Sequence, residues 1–376
     1  SRQKARQAAR AGAKQVVLTG CWTTLAPAEA QSLANVVQVI PNELKDRLVA
    51  EVLQLPEEAF DREFIERVQV PGARSRTRAF IKVQDGCDNR CAFCITTLAR
   101  GPARSRTIEA VLKDIHAAQV GGVQEVVLTG VHVGSWGYDF SPRAHLLDLV
   151  RAILQETDVA RLRLSSLEPW DLNTDFFSLW ENKRLCPHLH LPLQSGCAET
   201  LRRMRRKTTP QAFAELVQTA RAVIPEVAIT TDVIVGFPGE TEAEFSESLA
   251  FVEAMQFAGG HVFAYSARPG TAAAYMPDQV PHAVRKARSW LMRELFKKSA
   301  AAYQAGFLHR EVSVLWEQGE EMNPQEWQVS GLTGNYLRVI ARASQNLWNQ
   351  ITSVRLTELT PRGLVGELVH QAVVCR

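Results

Sequence analysis

Residues 79–94 read Ala79-Phe-Ile-Lys-Val-Gln-Asp-Gly-Cys-Asp-Asn-Arg-Cys-Ala-Phe-Cys94, and this stretch decides the fold. It begins with an apolar run, Ala79–Val83, which is typical of a buried strand, and it continues into a loop rich in cysteine. An apolar strand, a polar loop and a helix then alternate along the chain. This alternation predicts an α/β protein with a parallel sheet wound by right-handed crossovers, either open or closed into a partial barrel.

Six strand–helix units follow Thr77. Strands are predicted at Ala79–Val83, Glu125–Leu128, Arg161–Ser165, His188–Pro192, Ala228–Val235 and His261–Tyr265. Helices are predicted at Ile108–Val120, Ala144–Glu156, Ala198–Met204, Pro210–Val223, Glu242–Met255 and His282–Ala305. Two helix starts are well marked, because Thr241 and Glu244 form a capping box and Thr209 places a cap before Pro210.

The segments before and after these units show a different pattern of predicted secondary structure. The first predicts a basic helix at Arg2–Gly12, strands at Gln15–Gly20 and Val36–Ile40, and a polar linker at Asp61–Arg76. Beyond Gly306, short strands separated by turns predict a small antiparallel barrel of a kind that often binds nucleic acid. These strands are expected at Val312–Trp316, Trp327–Ser330, Tyr336–Ala341, Ile351–Leu359 and Val365–Val374. We therefore expect three domains, residues 1–65, 73–305 and 306–376.

Composition excludes several classes of protein. The 376 residues are 46% hydrophobic and 22% charged, so the chain can bury a core and is not disordered. No uninterrupted apolar stretch is long enough to span a membrane, and no signal core opens the chain, so we expect a cytoplasmic protein without a membrane partner. Arginine supplies 33 of the 43 basic residues, which suits RNA, but a GC-rich genome produces the same bias.

The spacing of three cysteines indicates an iron–sulfur cluster. Cys87, Cys91 and Cys94 form a C-x3-C-x2-C run, and three thiolates can hold three irons of a [4Fe–4S] cube while the fourth iron stays open. Structural zinc requires four ligands, usually two C-x2-C pairs, and no second pair occurs in the sequence. An open iron can bind a substrate or cofactor, so the pattern predicts catalysis.

Motifs around this loop resemble those of a known family. The segment Cys94-Ile-Thr-Thr-Leu-Ala-Arg100-Gly101-Pro-Ala-Arg104-Ser105-Arg106 is similar to the one that follows the cluster in the radical S-adenosylmethionine methylthiotransferases. Further matches are Leu128-Thr-Gly130-Val-His-Val-Gly134, Arg161-Leu-Arg-Leu-Ser-Ser-Leu-Glu168-Pro169, His190-Leu-Pro-Leu-Gln-Ser-Gly196, Thr230-Thr-Asp232-Val-Ile-Val-Gly-Phe-Pro-Gly-Glu240 and His261-Val-Phe-Ala-Tyr-Ser-Ala-Arg268-Pro-Gly-Thr271. Within the family, Cys94–Arg106 and Tyr265–Met276 are most similar to the branch that modifies threonylcarbamoyladenosine 37 of tRNA.

The resemblance implies a fold and a cofactor set. The fold is a partial (β/α)6 radical-SAM barrel with its active site at the C-terminal ends of the strands, preceded by an α/β domain and followed by a small RNA-binding β-barrel called TRAM. The [4Fe–4S] cluster on Cys87, Cys91 and Cys94 would bind S-adenosylmethionine at its open iron. One electron would then cleave the sulfonium and yield a 5′-deoxyadenosyl radical.

The resemblance also implies a second, auxiliary [4Fe–4S] cluster that takes part in sulfur insertion. Cys21 resembles one of its three ligands, and no other cysteine precedes Cys87. We therefore expect at least one further ligand upstream of Ser1, and a first domain truncated at its start. Cys186, Cys197 and Cys375 match no ligand spacing, so they are expected to be ordinary buried or surface thiols.

Polar residues near strand ends are the expected cofactor contacts. Glu168, Gln194 and Asp232 lie at or near the ends of predicted strands, where side chains can reach a zwitterion and ribose hydroxyls. The alternative is that Glu168 and Asp232 cap helices or orient loops. Gly130 and Gly134 could let the backbone approach the cofactor, although a tight turn explains them nearly as well.

Basic and aromatic residues supply the remaining expected contacts. Arg206 is a candidate cofactor contact, although a solvated helix end explains its basic neighbourhood equally well. Arg100 and Arg104 are candidate RNA contacts. Tyr336 and Arg338 could stack on a base and reach phosphate, while the alternation of a small barrel gives the same pattern without a ligand.

The sequence thus predicts a tRNA methylthiotransferase that replaces hydrogen at C2 of threonylcarbamoyladenosine 37 with a methylthio group. One S-adenosylmethionine would supply the radical and a second the methyl group, with sulfur arriving through the auxiliary cluster. Isopentenyladenosine 37 of tRNA and a ribosomal-protein aspartate are alternative substrates. A catalytically incomplete RNA-binding protein is an alternative of another class. An electron donor and a sulfur source are expected partners that the sequence does not identify.

Overall fold

The computed structural model describes residues 2–55 and 77–369, and the chain divides into two compact units. Unit 1 comprises Ser1–Glu66, Asp85–Arg90 and Cys94–Arg104, whereas unit 2 comprises Arg67–Gln84, Cys91–Phe93 and Ser105–Arg376. The predicted linker at Asp61–Arg76 lies outside the described residues. Across the described ranges, no helix is both long and apolar enough to cross a membrane.

Unit 1 contains short helices and a two-stranded parallel sheet. Its elements are α1 (Arg2–Arg10), β1 (Val16–Thr19), α2 (Cys21–Leu25), α3 (Pro27–Gln31), β2 (Val36–Ile40), α4 (Leu48–Leu53) and α5 (Thr96–Arg100). Strand β1 pairs with β2 in parallel, and Leu18 lies opposite Val39. The predicted first helix and the two predicted strands are confirmed within two residues at each end.

Unit 2 contains six parallel strands that follow one another in chain order. They are β3 (Arg78–Lys82), β6 (Glu125–Thr129), β7 (Arg161–Leu164), β8 (His188–His190), β9 (Ala228–Val235) and β10 (Gly259–Ala264). The two-residue strands β4 (Gln84–Asp85) and β5 (Arg104–Ser105) form a separate small sheet. Parallel pairing joins β3, β6 and β7 in one group and β8, β9 and β10 in another. Parallel bridges from Leu162 to Leu185 and from Ser166 to His190 connect the two groups. All six predicted strands and their parallel arrangement are confirmed.

Helices separate these strands, as the sequence predicts. They are α6 (Ile108–Val120), α7 (Leu146–Glu156), α8 (Thr174–Phe177), α9 (Ala198–Arg203), α10 (Pro210–Val223), α11 (Glu242–Met255) and α12 (His282–Ala305). The caps read from the sequence are present, since Thr241 and Glu244 bond each other's backbone N–H groups and the Thr209 hydroxyl accepts from Ala212. Only the short helix α8 was not predicted.

The burial of the strands differs along the sheet. Residues 125–128 of β6 and all of β7 are buried, as expected for parallel strands covered on both faces. In β9 the buried residues alternate with the half-buried Thr230, Asp232 and Ile234. One face of β9 is therefore open, and it carries polar groups.

Five strands close into a small barrel at the end of the described chain. The predicted antiparallel pairing is wrong at one place, because the third and fifth of these strands pair in parallel. The five strands are β11 (Glu311–Asn323), β12 (Glu326–Thr333), β13 (Arg338–Ala343), β14 (Ile351–Thr360) and β15 (Gly363–Leu368), hydrogen-bonded in the order β11-β12-β13-β15-β14. Strand β11 continues past its predicted end at Trp316 to Asn323, and β12 continues past Ser330 to Thr333. Two further strands also differ from the prediction at an end. Tyr336 has a φ of 69°, which strand backbone does not adopt, so β13 begins at Arg338 and not at Tyr336. Strand β15 ends at Leu368, and residues 370–376 lie outside the described chain.

This barrel packs against the amino ends of the parallel strands within unit 2. The first residue of β7, Arg161, donates to the carbonyls of Leu332 and Ser313 at 2.9 and 2.8 Å. Arg163 donates to the carbonyl of Gly334 at 2.8 Å and to the Glu125 carboxylate at 2.7 Å. The carboxyl ends of the strands lie at the opposite edge of the sheet, which these barrel contacts do not cover.

Candidate active site

Polar side chains meet in unit 2 at the carboxyl ends of the parallel strands. Glu168 follows β7, and Gln194 follows β8. The Gln194 N–H donates to the Asp232 carbonyl at 2.8 Å, and its own carbonyl accepts from Ile234 at 2.9 Å. These bonds extend the pairing of β8 with β9 and set Gln194 opposite Val233, the residue that follows Asp232. Three residues that the sequence predicts as cofactor contacts therefore share one edge of the sheet.

Arg206 links this edge to the cysteine loop. Its Nη2 lies 2.5 Å and its Nη1 3.1 Å from the two oxygens of Glu168, which is a bidentate pair. Nη2 also donates to the Pro192 carbonyl at 2.7 Å, and Nη1 lies 3.7 Å from the Cys91 Sγ. The guanidinium sits 4.5 Å from the ring centre of Trp170, and the side chain is only 2% exposed.

This environment favours the charged guanidinium. Burial alone would lower the pKa of Arg206, but the Glu168 carboxylate and then the Cys91 sulfur outweigh it and raise the pKa. Its neighbour Arg202 is exposed and pairs only with the exposed Glu199. Within the basic run after Gln194, Arg206 is buried and Arg203 is half-buried against Glu244, so the explanation by a solvated helix end applies to Arg202 but not to Arg206.

The three cysteines of the loop offer thiol groups suited to an iron–sulfur cluster. Cys87 and Cys94 belong to unit 1 and Cys91 to unit 2, and all three are half-buried and free of disulfides. Backbone N–H groups donate to the Cys87 Sγ at 3.4 Å and to the Cys94 Sγ at 3.5 Å. Three free thiols in one loop are the type of donor that binds iron. Their chemistry therefore fits an iron–sulfur cluster.

Cys21 lies in unit 1 at the first position of α2, and α2 packs against α5. Its thiol hydrogen-bonds with the Arg100 side chain, which also donates to the Asp85 carboxylate at 2.9 Å. Burial alone would lower the pKa of Arg100, but Asp85 and then Cys21 raise it. Arg100 is therefore engaged within unit 1, and the exposed Arg104 donates to the Arg100 carbonyl at 3.1 Å.

The remaining predicted site residues are spread over unit 2. Gly130 is exposed and follows β6 directly, so it lies at the carboxyl edge. Tyr336 and Arg338 lie instead at the amino edge and on β13. The Tyr336 ring is 4.7 Å from His188 and 4.4 Å from the Arg163 guanidinium, and 43% of the residue is exposed. Arg338 is exposed.

The thiols that match no ligand spacing behave differently from the loop cysteines. Cys186 is buried in unit 2, and burial raises the pKa of its thiol to about 11. Burial also raises the pKa of Cys197. A raised pKa disfavours thiolate, the form that binds metal, at these two positions. Cys375 lies outside the described residues.

Sequence reasoning missed two histidines that surround Asp232. The Asp232 Oδ1 lies 3.1 Å from the His261 Nδ1, and its Oδ2 lies 3.3 Å from the His190 Nε2. His261 is paired with Asp232 across β10 and β9, and His190 with Thr230 across β8 and β9. Each histidine opens one of the motifs that resemble the family, at His190 and at His261, but neither motif assigns its histidine a role.

Comparison with known proteins agrees with this arrangement. The sequence model of the Radical SAM superfamily matches residues 81–252. A solved structure of the cobalamin-dependent S-adenosylmethionine radical enzyme OxsB is similar in fold, with a TM-score of 0.50 and 11% identity over 75% of this chain and 43% of that one.

Curated relatives are more similar in sequence. The threonylcarbamoyladenosine tRNA methylthiotransferase MtaB of Bacillus subtilis is 34% identical over 95% of this chain and 81% of its own length. A tRNA-2-methylthio-N(6)-dimethylallyladenosine synthase of Acidothermus cellulolyticus is 38% identical over 77% of this chain and 59% of its own length. The resemblance read from the motifs is thereby confirmed, and the chain belongs to the radical SAM methylthiotransferase family.

Proposed function

We propose that this protein inserts a methylthio group at C2 of threonylcarbamoyladenosine 37 in tRNA. The observation that carries the proposal is the contact of Arg206 with both Cys91 and Glu168, because it joins a cluster thiol to the polar carboxyl edge of the sheet. The likeness to the Bacillus subtilis relative over most of both chains supports the substrate. A tRNA substrate in turn favours a cytoplasmic location.

Membership of the family implies a [4Fe–4S] cluster and S-adenosylmethionine. When bound, the cluster supplies the electron that cleaves the sulfonium of S-adenosylmethionine into a 5′-deoxyadenosyl radical. We assign the cluster ligands to Cys87, Cys91 and Cys94. The electron donor and the sulfur source are partners to be identified.

The residues of the carboxyl edge would bind and orient S-adenosylmethionine. Glu168 and Asp232 offer carboxylates for the ammonium and ribose hydroxyls, and Gln194 offers both a donor and an acceptor. Arg206 holds the Glu168 carboxylate in place through its bidentate pair. The exposed backbone at Gly130 would let the adenine approach the end of β6.

A second, auxiliary [4Fe–4S] cluster does not fit the residues of this chain alone. Cys21 is the only cysteine among residues 1–86, and its thiol already bonds Arg100. One thiolate cannot hold a cube. We retain Cys21 as the proposed ligand and assign the sulfur-insertion step to no residue.

The proposed division of labour follows three domains. Residues 1–65 would form the methylthiotransferase domain, residues 73–305 the partial (β/α)6 radical SAM barrel, and residues 306–376 the TRAM barrel. The exposed Arg104 and Arg338 are the simplest RNA contacts. Arg100 and Tyr336 already contact other side chains of the protein. They would contact RNA only through the surface of each side chain that remains exposed.

Iron content after anaerobic reconstitution tests the cluster. We expect about four irons per chain, as one cube requires, and their loss in Cys91→Ala. Cys197→Ala is the matched control, because it removes a buried thiol outside the loop and should keep the iron. A wild-type chain without iron would overturn the enzymatic proposal.

Mass spectrometry of tRNA nucleosides tests the substrate. A C2-methylthio product from tRNA that carries threonylcarbamoyladenosine supports the proposal. Product only from dimethylallyladenosine tRNA would move the enzyme to the other branch of the family. RNA binding without cleavage of S-adenosylmethionine would favour the catalytically incomplete RNA-binding protein.

A further inference from the structure

Strands β8, β9 and β10 present one polar face to the open side of the sheet. His188 and His190 of β8 both lie within hydrogen-bond distance of the Thr230 hydroxyl, at 3.1 and 2.9 Å. The register of β9 with β10 sets His261 opposite Asp232. The intervening residues of β9 are buried on the other face, so these polar groups have no freedom to turn into the core.

Asp232 fixes the orientation of both neighbouring imidazoles. An ionised carboxylate only accepts hydrogen bonds, so the His261 Nδ1 and the His190 Nε2 must each carry a hydrogen. Burial alone would raise the pKa of Asp232, but His190 and His261 outweigh it and lower the pKa, so this carboxyl is ionised at neutral pH. The ring of His261 is therefore held with its Nε2 edge pointing away from Asp232.

His261 is the accessible member of the group. Its side chain is 71% exposed, against 13% for His190 and 23% for Asp232. Among the residues that the structure describes, none hydrogen-bonds to the His261 Nε2. Phe263, on the same face of β10, is 52% exposed, and its ring centre lies 6.4 Å from that of His261. An oriented polar nitrogen thus stands beside an apolar ring on an open surface.

The chemistry of this group suits an anionic, partly apolar ligand. With Nδ1 committed to Asp232, the exposed Nε2 is the ring nitrogen that a ligand can reach. A carboxylate bound there, with a proton shared between its oxygen and Nε2, would gain a charge-assisted hydrogen bond. The threonylcarbamoyl group carries a carboxylate, whereas a dimethylallyl group has no polar atom to offer.

A divalent cation is the competing occupant. Ligand atoms of His190, Asp232 and His261 all lie within 4.8 Å of one another, which is compatible with a metal site. However, the two ring nitrogens that face Asp232 are the ones that carry hydrogen in the observed bonds, so a metal would have to displace both protons. The hydrogen-bonded arrangement already satisfies the carboxylate without one.

We propose that His261 recognises the carboxylate of the threonylcarbamoyl substituent on adenosine 37, held in orientation by Asp232. This inference rests on the proposed function, and it names the residue that distinguishes the two tRNA substrates of the family. It also gives a role in specificity to His261, which opens one of the quoted motifs without an assigned function.

Equilibrium binding of anticodon stem-loop RNAs tests the inference without requiring turnover. One RNA carries threonylcarbamoyladenosine 37 and the other unmodified adenosine 37, and fluorescence anisotropy gives both dissociation constants. The wild type should prefer the modified RNA, and His261→Phe should reduce that preference at least about tenfold, as expected for one hydrogen bond to a charged group. Because Asp232 is also a proposed contact of S-adenosylmethionine, all titrations are made without that cofactor. Asp232→Asn should then also reduce the preference, and Asp232→Glu should restore part of it.

His116→Phe is the matched control, because His116 is exposed on α6, outside the polar face, and its loss should leave the preference intact. His261→Asn serves if the phenylalanine variant does not fold. Retained preference in both His261 variants would overturn the inference and leave the proposed substrate standing. A wild type that forms product only from dimethylallyladenosine tRNA would instead overturn the proposed substrate. A metal site would be the correct interpretation if two results were found together. A chelator would abolish the preference, and the wild type would hold one zinc or iron ion more than the cluster accounts for, which His261→Phe would lack.

Discussion

Arg163 and Arg206 are two buried arginines of unit 2 that stand at opposite edges of the same parallel sheet. Both side chains are 2% exposed, and both form bidentate pairs with a glutamate. At the amino edge, Arg163 pairs with Glu125, whose side chain is 1% exposed, and its other donors reach barrel carbonyls. At the carboxyl edge, Arg206 pairs with Glu168, whose side chain is 20% exposed, and it reaches the Cys91 sulfur.

The difference teaches how to separate a structural ion pair from a functional one. Burial and pairing are the same, so neither property identifies a site. What differs is whether the partners are closed off from solvent and from ligands. Every acceptor around Arg163 belongs to a packed junction, whereas Glu168 and Cys91 at the other edge retain exposed surface for a cofactor.

The largest effect on stability is expected at the amino edge. Arg163→Met keeps the length of the side chain but leaves the Glu125 carboxylate buried without a cation. Breaking a buried pair in this way costs about 3–5 kcal/mol in the free energy of unfolding, which chemical denaturation measures.

The double variant Arg163→Met with Glu125→Met is the control for this prediction. It removes both charges, and it should recover much of the lost stability because apolar replacement of a buried pair is often neutral. If the single variant lowered the free energy of unfolding by less than about 1 kcal/mol, the Arg163–Glu125 pair would behave like an ordinary surface ion pair. The contrast between the two edges would then be absent.

A smaller effect on stability is expected at the carboxyl edge. Arg206→Met leaves a Glu168 carboxylate that water can reach, so the free energy of unfolding should fall by only about 1–2 kcal/mol. Iron content should persist because the three thiolates remain. Affinity for S-adenosylmethionine should fall about tenfold, the equivalent of one such charged contact, when measured by equilibrium dialysis.

Arg202→Met is the matched control for Arg206, since it lies in the same basic run and pairs only with the exposed Glu199. It should change neither stability nor affinity. Arg206→Met could instead lose as much stability as Arg163→Met and keep its affinity for S-adenosylmethionine. In that case both ion pairs would be structural, and the carboxyl edge would not be the cofactor site.

Much of the fold could be predicted because local signals agree with the tertiary structure. The apolar runs of β6 and β7 are buried on both faces, and caps such as Thr241 with Glu244 mark helix starts that the structure keeps. The end strands were harder. The apolar alternation of the sequence continues through Tyr336. The turn before β13 gives that residue a left-handed backbone, which the pattern of side chains does not reveal.

The candidate site could be predicted only where its chemistry is local. The cysteine spacing lies within eight residues, so the sequence alone indicates the cluster. The neighbours of Asp232 come from two other strands, and only the register of β8, β9 and β10 brings His190 and His261 to it. Likewise, nothing in the basic run after Gln194 distinguishes Arg206 from Arg202 until the chain folds and one of them turns inward.

A third glutamate that lies near an arginine, Glu240, sharpens the comparison between the edges. Glu240 follows β9 at the carboxyl edge, and its Oε2 lies 3.6 Å from Arg288 and accepts from the backbone N–H of Phe237 at 3.0 Å. Burial outweighs Arg288 and these backbone donors, and it raises the pKa of Glu240 from 4.5 to about 7. Proximity to a cation therefore does not guarantee ionisation when the bidentate geometry of the Glu125 pair is missing.

This pKa gives stability a predictable dependence on pH. Between pH 4.5 and about 7 the folded state binds a proton at Glu240 that the unfolded state has released, so the free energy of unfolding should fall as pH rises through that range. Glu240→Gln removes the titrating group and should flatten this part of the profile in denaturation at pH 5 and pH 7.5. Glu242→Gln is the control, because that side chain is 77% exposed and its removal should leave the profile unchanged. An equal slope in wild type and Glu240→Gln would mean that Arg288 keeps Glu240 ionised throughout, and that a distance of 3.6 Å suffices for a buried pair.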